Sequence, residues 1–311
     1  MTVLAHLSDI HLPPPALPAL SSLRLKQLLG VLNWIRSRRT IHTTTALDFV
    51  LNDLDDQEFD HLIVSGDLVN FGLREEFEAG AAWLHGFERF ATKGRPVTEF
   101  VSFVPGNHDY YDGPEGFYSA PFADFMRSDA VGASLGGAAG PDAPFVRIVD
   151  QVALIGMNSA IETPLFKAYG EVADSQLHQL GKILKKARDN GFYRCVFVHH
   201  PPLSGTTSDH RMLLNDRDFE KVLKVSGAEL VLYGHNHVQA THRFDTYDGP
   251  CAIVGCPSAS VGRVGRYDLA RYNLFHIEKT TDGWHTQMTG RALDQKLDRV
   301  IRAEQWDFPG V

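Results

Sequence analysis

Cysteine, long hydrophobic runs and excess basic charge are all scarce in this sequence. Only 3 of the 311 residues are cysteines (Cys195, Cys251 and Cys256), and an odd number cannot form a complete disulfide framework. We therefore expect buried, reduced thiols and a cytoplasmic location, which also fits a first strand that begins at Thr2 and leaves no room for a signal peptide. No stretch of about 18 apolar residues is present, so no membrane-spanning helix is expected. The net charge of −8 argues against a generic nucleic-acid-binding protein, and no specific nucleic-acid partner is expected.

Five short polar clusters are present, each after a run of residues that is typical of a β-strand. The predicted strands are Thr2–Leu7, Leu62–Ser65, Phe100–Val104, Cys195–Val198 and Leu230–Tyr233. The clusters that follow them are Asp9-Ile10-His11, Gly66-Asp67, Gly106-Asn107-His108-Asp109, His199-His200 and Gly234-His235-Asn236-His237. Because open α/β sheets place their sites outside the carboxyl ends of the strands, we expect these side chains to converge.

The clusters supply two aspartates, one asparagine and four histidines as candidate metal ligands, namely Asp9, His11, Asp67, Asn107, His199, His235 and His237. Mixed imidazole and oxygen ligands favour manganese, iron or zinc over calcium. Two such ions about 3.5–4 Å apart can clamp the attacking and the leaving oxygen of a displacement at phosphorus. Cations this close need an anionic ligand between them, and Asp67 is the natural candidate. The pattern therefore predicts a dinuclear metal site, with His108 as a candidate acid.

In these clusters the chain resembles the calcineurin-like metallophosphoesterases. The motifs of that family are D-x-H, GD, GNH[DE], H and GHxH, and all five occur here in order between residues 9 and 237. The resemblance implies an α/β fold in which two β-sheets form a sandwich flanked by helices. It implies that His108 faces the leaving group and that Asp109 fixes the orientation of the His108 ring. It divides the ligands into two sets that share Asp67: Asp9, His11, Asp67 and His237, and Asp67, Asn107, His199 and His235.

For such a site we predict hydrolysis by a hydroxide that bridges the ions, because paired cations lower the pKa of a shared water. A phosphoenzyme is not expected, since neither a Cys-x5-Arg loop nor a nucleophilic aspartate motif is found. The compact set of motifs is most like that of the small bacterial class III phosphodiesterases, which favours a phosphodiester among small-molecule phosphate esters. Three alternatives stay open: a lipid-linked or nucleotide-sugar pyrophosphatase, a phosphomonoesterase, and a non-catalytic metal-binding scaffold. The intact pair of His108 and Asp109 argues against the scaffold, which needs only the ligands.

The expected organisation is a single domain over residues 1–311. Residues 132–144 are rich in glycine and alanine and predict a surface loop. Residues 238–311 are expected to form strands that complete the second sheet, followed by a tail. Nothing in the sequence excludes an oligomer.

An insertion at residues 12–46 departs from the minimal motif pattern. It begins with a proline-rich turn and continues with apolar residues at helical spacing from Leu25 to Ile35. It holds five cations and no acidic residue. The favoured interpretation is a cap packed on the body of the protein. The alternative is a basic amphipathic element at residues 20–40 that contacts an anionic membrane or a lipid headgroup.

Two further histidines are weaker candidates for a contact with substrate or with the ligands. His200 directly follows the predicted ligand His199, and His210 lies in the loop Leu203–Met212. Histidines outside the clusters, such as His42, are expected to be surface or packed residues rather than ligands.

Overall fold

The computed structural model describes residues 1–16, 23–90, 95–111, 113–117, 119–140 and 143–308. Strands in this part of the chain form two six-stranded sheets. The strands of the first sheet are Thr2–Leu7 (β1), His61–Val64 (β2), Val101–Phe103 (β3), Arg271–Thr280 (β10), Gly283–Leu293 (β11) and Val300–Phe308 (β12). Those of the second sheet are Phe145–Val149 (β4), Val152–Gly156 (β5), Tyr193–Phe197 (β6), Leu230–Tyr233 (β7), Ala240–Thr246 (β8) and Gly249–Gly255 (β9). The strand orders are β12-β11-β10-β1-β2-β3 and β4-β5-β6-β7-β9-β8.

Helices connect these strands. Their bounds are Leu25–Asn33 (α1), Arg39–Ile41 (α2), Thr44–Asp55 (α3), Arg74–His85 (α4), Val97–Phe100 (α5), Gly113–Gly116 (α6), Ala130–Leu135 (α7), Asp174–Asp189 (α8) and Asp216–Ser226 (α9). A π-helical turn, Trp34–Arg38, joins α1 to α2, and 3₁₀ turns cover Gly86–Phe90 and Ala120–Met126. No helix of the described residues is both long and apolar enough to cross a bilayer.

The second sheet buries both of its faces. In β6, Cys195 and Phe197 belong to a hydrophobic cluster that also contains residues of the first sheet. Val196, which points to the other face, belongs to a cluster with residues of α8 and α9 such as Leu180 and Phe219. This alternation confirms the two-sheet sandwich flanked by helices. The three cysteines are buried and unpaired, as expected.

The predicted polar clusters lie at the carboxyl ends of parallel strands. β1, β2 and β3 are parallel to one another in the first sheet. β5, β6, β7 and β9 are parallel in the second sheet. The five strands predicted before the clusters are confirmed: two have the predicted bounds, and the bounds of the other three differ by one or two residues. The topology therefore gathers their carboxyl ends.

The prediction that residues 238–311 complete the second sheet is wrong in part. Only β8 and β9 join that sheet, whereas β10, β11 and β12 extend the first one. The reason is that β1 is buried along its whole length and pairs with β2 on one side only. β10 satisfies its other edge in antiparallel register, from Thr2 opposite Ile277 to His6 opposite Asn273.

The predicted loop at residues 132–144 is also corrected, because α7 covers its first residues. The Asp129 carboxylate caps this helix by accepting a hydrogen bond from the Gly132 N–H at 2.6 Å. Leu135 is buried against the second sheet, which gives the short helix a packing partner. Residues 141 and 142 of the predicted loop lie outside the described residues.

The helical part of the predicted cap is formed by α1, the π-helical turn and α2. Residues 17–22 of the insertion lie outside the described part of the chain. The Lys26 ammonium donates to the Thr163 carbonyl at 2.8 Å, and Trp34 packs edge to face on Phe71 with ring centroids 6.2 Å apart. The segment therefore packs on the body, as the favoured interpretation holds.

Candidate metal centre

Five of the candidate ligands have left-handed backbone conformations, with φ between 47° and 68°. They are Asp9, His11, Asp67, His235 and His237. This region is costly for residues other than glycine and persists only where the surroundings enforce it. Hydrogen bonds between loops do so here: the Asp9 N–H donates to the Gly66 carbonyl and the His11 N–H to the Asp67 carbonyl, both at 3.0 Å. These bonds therefore fix the backbone of the loops that carry the ligands.

Gly66 makes the close approach of these loops feasible. Its φ is +91°, and a Cβ atom there would lie 2.6 Å from the Gly106 nitrogen and 2.7 Å from His199 Nδ1. Any side chain would thus push apart the loops that carry Asn107 and His199.

The first predicted ligand set is brought together at the end of β1. His237 Nε2 lies 3.0 Å from Asp9 Oδ1 and 3.4 Å from His11 Nε2. His11 Nε2 lies 3.9 Å from Asp67 Oδ2. All four side chains are buried.

The second set is brought together around His199. The Nε2 atom of this residue lies 3.2 Å from His235 Nδ1, 3.3 Å from Asn107 Oδ1 and 3.5 Å from Asp67 Oδ2. Asp67 Oδ2 therefore lies between the two sets, which is the position that a bridging ligand requires.

The donor set fits two transition-metal ions. Bonds of about 2.0–2.2 Å hold neighbouring ligand atoms about 3.0–3.5 Å apart, and most of the distances above fall in or near this range. Two pairs of imidazole nitrogens approach each other, His11 Nε2 with His237 Nε2 at 3.4 Å and His199 Nε2 with His235 Nδ1 at 3.2 Å. Imidazole nitrogens that approach one another in a buried site are a typical arrangement of metal ligands.

Backbone carbonyls orient two of the imidazoles. Ser65 O accepts from His199 Nδ1 at 2.7 Å, and Val69 O lies 3.3 Å from His11 Nδ1. Because a carbonyl oxygen can only accept, Nδ1 carries the proton in each neutral ring and Nε2 presents its lone pair to the site.

The charges of the site also favour cation binding. Burial raises the pKa of Asp67, but the neighbouring His199 holds it well below its usual value. Burial lowers the pKa values of His11 and His235, so these rings are neutral as ligands must be. Burial lowers the pKa of His199, but the neighbouring Asp67 and Asp9 outweigh this effect and raise the pKa to about 9. A cation that binds His199 must therefore displace one proton.

His108 lies beside the ligands without joining them. Its Nδ1 donates to the Asn70 carbonyl at 2.8 Å, and its backbone N–H donates to Asp67 Oδ1 at 2.7 Å. Its Nε2 therefore carries the lone pair and accepts from Arg38 Nη1 at 2.8 Å. Burial, followed by the Arg38 charge, lowers the pKa of His108 to about 3. The ring is neutral in this state, and an anion in the cavity would be needed to favour its protonation.

The role predicted for Asp109 is wrong. Its carboxylate does not bond to the His108 ring but accepts from three backbone N–H groups, those of Leu68, Val69 and Gly106 at 2.8–3.1 Å. Burial and the neighbouring Asp67 raise the pKa of Asp109 to about 7. Asp109 thus ties together the loops of Asp67 and Asn107, and the Asn70 carbonyl orients His108 instead.

The two weaker histidine candidates have different positions. His200 is fully buried, does not line the cavity, and packs on His235 with ring centroids 4.6 Å apart. A contact with the ligand set is thus shown for His200, whereas a contact with substrate is not. His210 is exposed, and its ring contacts Lys167 rather than any ligand. The loop that carries it reaches the cavity through Arg211 rather than through His210, so a role of His210 at the site stays a prediction.

Two residues of the insertion, Arg38 and His42, contact the ligand His11 and were not predicted as part of the site. Arg38 Nη2 lies 3.1 Å from His11 Nε2, in addition to its bond with His108. His42 packs edge to face on His11 with ring centroids 4.4 Å apart, and Ser260 Oγ lies 2.9 Å from its Nδ1. The donor atoms of His11, His42 and His237 all lie within 4.8 Å of one another. The signal for Arg38 was the sign inversion of the insertion, whereas no local motif marks His42.

A cavity of about 640 Å³ opens above the ligands. Asp67 is the one acidic residue among the described residues that line it. Its cations are Lys26, Arg38, Lys167, Arg211 and Arg266. Apolar and aromatic side chains complete the lining, namely Leu29, Ile41, Tyr111, Leu165, Phe166 and Tyr267. The cavity therefore suits an anion that carries an apolar or aromatic part.

Comparisons with known proteins agree with this geometry. The chain is 23% identical over 269 residues to the 3′,5′-cyclic adenosine monophosphate phosphodiesterase CpdA of Haemophilus influenzae, a match that covers 85% of this chain and 81% of that protein. Its fold is similar to that of a dimetal phosphatase from Danio rerio, with a TM-score of 0.61, 12% identity, and coverage of 100% of this chain and 99% of the other. The model of the calcineurin-like phosphoesterases matches residues 2–239, which include all seven candidate ligands. The chain therefore belongs to the calcineurin-like phosphoesterase family.

Proposed function

We propose that the protein is a dimetal-dependent phosphodiesterase that acts on small-molecule phosphodiesters. The observation that carries the proposal is the convergence of seven ligand side chains in two sets that share Asp67, below a cavity with five cations. The similarity to a protein named as a cyclic-nucleotide phosphodiesterase supports a diester among phosphate esters.

We propose the ligand sets in the form that the family resemblance implies. Asp9, His11, Asp67 and His237 would hold one ion, and Asp67, Asn107, His199 and His235 the other. Manganese, iron or zinc suits these ligands. Bound ions would supply Lewis acidity toward phosphate oxygens and would lower the pKa of water.

The chain's own residues supply orientation and charge. Arg38 and the other cavity cations attract the phosphate, and the apolar wall formed by Leu29, Leu165 and Phe166 faces its organic part. A phosphate anion in the cavity would raise the pKa of His108 by placing negative charge beside it. His108 Nε2 would then hold a proton for the leaving oxygen, while the Asn70 carbonyl keeps the ring in place.

Turnover of three substrates by the metal-loaded protein tests this function. The protein is first stripped with a chelator and reloaded with Mn²⁺, Fe²⁺ or Zn²⁺. Bis(p-nitrophenyl) phosphate, p-nitrophenyl phosphate and a nucleoside diphosphate sugar are then compared by kcat/KM. We expect metal-dependent turnover with a preference for the diester. Metal binding without turnover of any of the three would favour the scaffold alternative.

The cavity cations favour a pyrophosphatase as the second candidate. Five cations are more than the single charge of a phosphodiester requires, whereas a pyrophosphate diester carries two negative charges. A kcat/KM for the nucleoside diphosphate sugar above that for bis(p-nitrophenyl) phosphate would establish this alternative.

A further inference from the structure

The segment formed by α1, the π-helical turn and α2 carries apolar and basic side chains on its outer face. Leu25 and Leu32 of α1 are 62% and 51% exposed, and Ile35 of the π-helical turn is 37% exposed. Arg36 and Arg39 are exposed beside them. The outer face of a helix on a soluble domain is ordinarily polar, so this composition needs a separate explanation.

The exposed leucines are not the packing face of the helix. The opposite side of the same segment makes the contacts with the body: Val31 is buried, Gln27 is buried near the Phe71 carbonyl, and Trp34 packs on Phe71. On a helix of 3.6 residues per turn, Leu25 and Leu32 lie on the side away from Gln27, Val31 and Trp34. The segment thus has one apolar stripe that packs on the body and a second one that is largely exposed.

Two other segments at the mouth of the cavity have the same character. Residues 163–168 carry Leu165 and Phe166, and Phe166 is 87% exposed with a φ of 63°. Residues 261–267 carry the exposed Val264 between Arg263 and Arg266. We call the three segments, residues 24–39, 163–168 and 261–267, the rim. All three contribute residues to the lining of the same cavity.

The rim is enriched in exposed apolar residues and has one sign of charge. It holds six of the 13 large hydrophobic residues that are exposed in the described part of the chain, although it makes up less than a tenth of the 311 residues. It contains eight cations and no acidic residue, on a chain whose net charge is −8; four of these cations also line the cavity, and the exposed Glu162 and Asp268 flank two of the segments. The cations are Arg24, Lys26, Arg36, Arg38, Arg39, Lys167, Arg263 and Arg266.

We propose that the rim docks on the surface of an anionic lipid bilayer, with the mouth of the cavity turned toward the lipid. Cations within a Debye length of an anionic leaflet are attracted to it, and apolar side chains between them gain by leaving water. The rim offers both the cations and the apolar side chains that such docking requires. A nucleic acid would satisfy the cations but offers no apolar layer for Leu25, Leu32 and Ile35, so the lipid surface fits better. The docking surface goes beyond the proposed reaction and does not depend on it.

Vesicle flotation with the full chain tests the docking. The probes are large vesicles of phosphatidylcholine alone and of phosphatidylcholine with phosphatidylserine, at low and at high salt. We expect binding to the anionic vesicles that weakens with salt and is much lower on phosphatidylcholine. Since each Lys or Arg near the surface contributes about 1 kcal/mol, or roughly fivefold in partition, the pair Arg36→Gln/Arg39→Gln should lower the partition coefficient by about 25-fold. The triple variant Leu25→Ser/Leu32→Ser/Ile35→Ser should lower it by at least tenfold.

Matched controls separate docking from misfolding and from loss of activity. None of the five substituted residues lines the cavity, so both variants should turn over bis(p-nitrophenyl) phosphate at the wild-type rate. The variant Val225→Ser/Tyr247→Ser removes two exposed apolar side chains outside the rim and should bind vesicles normally.

Four results would overturn the proposal: no binding to anionic vesicles, equal binding to both vesicle types, equal loss in rim and control variants, or a rim-dependent dimer in sedimentation. Salt-sensitive binding to a DNA oligonucleotide that the leucine variant leaves unchanged, together with weak vesicle binding, would assign the rim to nucleic acid instead. Vesicle binding by a protein with no turnover would retain the docking surface and reject the proposed function.

Discussion

The cavity has two walls of different construction. One wall consists of the strand-end loops, where buried ligands have fixed backbone conformations and the loops are bonded to one another. The other wall is residues 24–42, which reach the cavity through the half-buried Arg38 and His42 and expose leucine and arginine on the outside. The first wall is continuous with the cores of both sheets, whereas the second is attached through side-chain contacts such as that of Lys26 with Thr163 and, at its end, through a backbone bridge between His42 and Val261.

This difference separates metal binding from recognition. A ligand on the strand wall cannot move without disturbing buried strands, so that wall is suited to hold ions at fixed distances. The exposed residues of the cap wall can vary in sequence without such a cost, so that wall is suited to select a substrate or a surface. Substitutions on the strand wall should therefore remove metal and turnover together, and substitutions on the cap wall should leave the metal in place.

The largest effect is expected for Asp67→Asn. This change removes the negative charge that lies between the two ligand sets, so both ions should be lost and kcat/KM should fall by more than about 10⁴-fold, because several contributions of several kcal/mol disappear together. Metal analysis and bis(p-nitrophenyl) phosphate turnover measure it. Asn107→Ala is the matched control, since it removes one neutral ligand from one set and should retain the other ion. Retention of both ions and near-normal turnover by Asp67→Asn would contradict the shared position of this residue.

The next effect is expected for His108→Ala, which lies on the strand wall but outside both ligand sets. Metal content should stay unchanged while kcat falls by about 10²–10⁴-fold for an ester with an alkoxide leaving group, as general-acid catalysis is typically worth this much. For p-nitrophenolate, which departs without a proton, the loss should be small. Equal losses for the two esters, or a loss of metal, would remove His108 from the leaving-group role.

Arg38→Ala should have a smaller effect and tests the cap wall directly. A hydrogen bond to a charged group contributes about 1.5–3 kcal/mol, so kcat/KM should fall by roughly 10–150-fold. Both ions should stay bound, because a cation held by His11 needs no help from a neighbouring guanidinium. Arg36→Ala is the control two residues away on the exposed side of the same turn, and it should behave as wild type. Loss of metal in Arg38→Ala would show that the two walls are not independent.

The two walls also differ in how far their sequence predicts them. The strand-end ligands could be predicted because strand periodicity and ligand type are local features, and parallel topology then gathers them. The hydrogen-bond partners of Asp109 could not be predicted, because its carboxylate accepts from backbone N–H groups whose direction depends on the left-handed turns of the neighbouring loops. Arg38 enters the site through a π-helical turn, which no residue pattern marks.

Long-range pairing accounts for the remaining errors. His42 is placed by a bridge to Val261 and a contact with Ser260, which lies more than 200 residues along the chain. The strands β10–β12 join the first sheet because β1 needs a partner on its second edge, a requirement that is invisible in their own alternation. The position of His42 and the pairing of β10–β12 therefore depend on the assembled sheets and cannot be predicted from the local sequence of either segment.

The smallest effect is expected in the pH dependence of stability of the strand wall. His61, at the start of the strand that leads to Asp67, is fully buried, with Nε2 2.8 Å from Ser102 Oγ and no described partner for Nδ1. Burial, followed by the charges of Arg147 and Arg95, lowers the pKa of His61 well below its usual value of 6.5. A folded-state pKa below the unfolded one means that this contribution to stability is complete above pH 6.5 and is lost as the pH falls, by at most about 1.36 kcal/mol per pH unit.

His61→Gln isolates this term, because the amide can still bond to Ser102 but takes up no proton. We would measure urea unfolding of the metal-free protein between pH 5 and pH 8. The free energy of unfolding should fall less steeply toward acid in the variant than in wild type, by up to about 1.36 kcal/mol per pH unit, which corresponds to one bound proton. His178→Gln is the matched control on the exposed side of α8, and it should retain the wild-type slope because its ring is in water in both states. Identical slopes for wild type and His61→Gln would mean that the strand wall opens to water at this position, and that it is less rigid than its contrast with the cap wall requires.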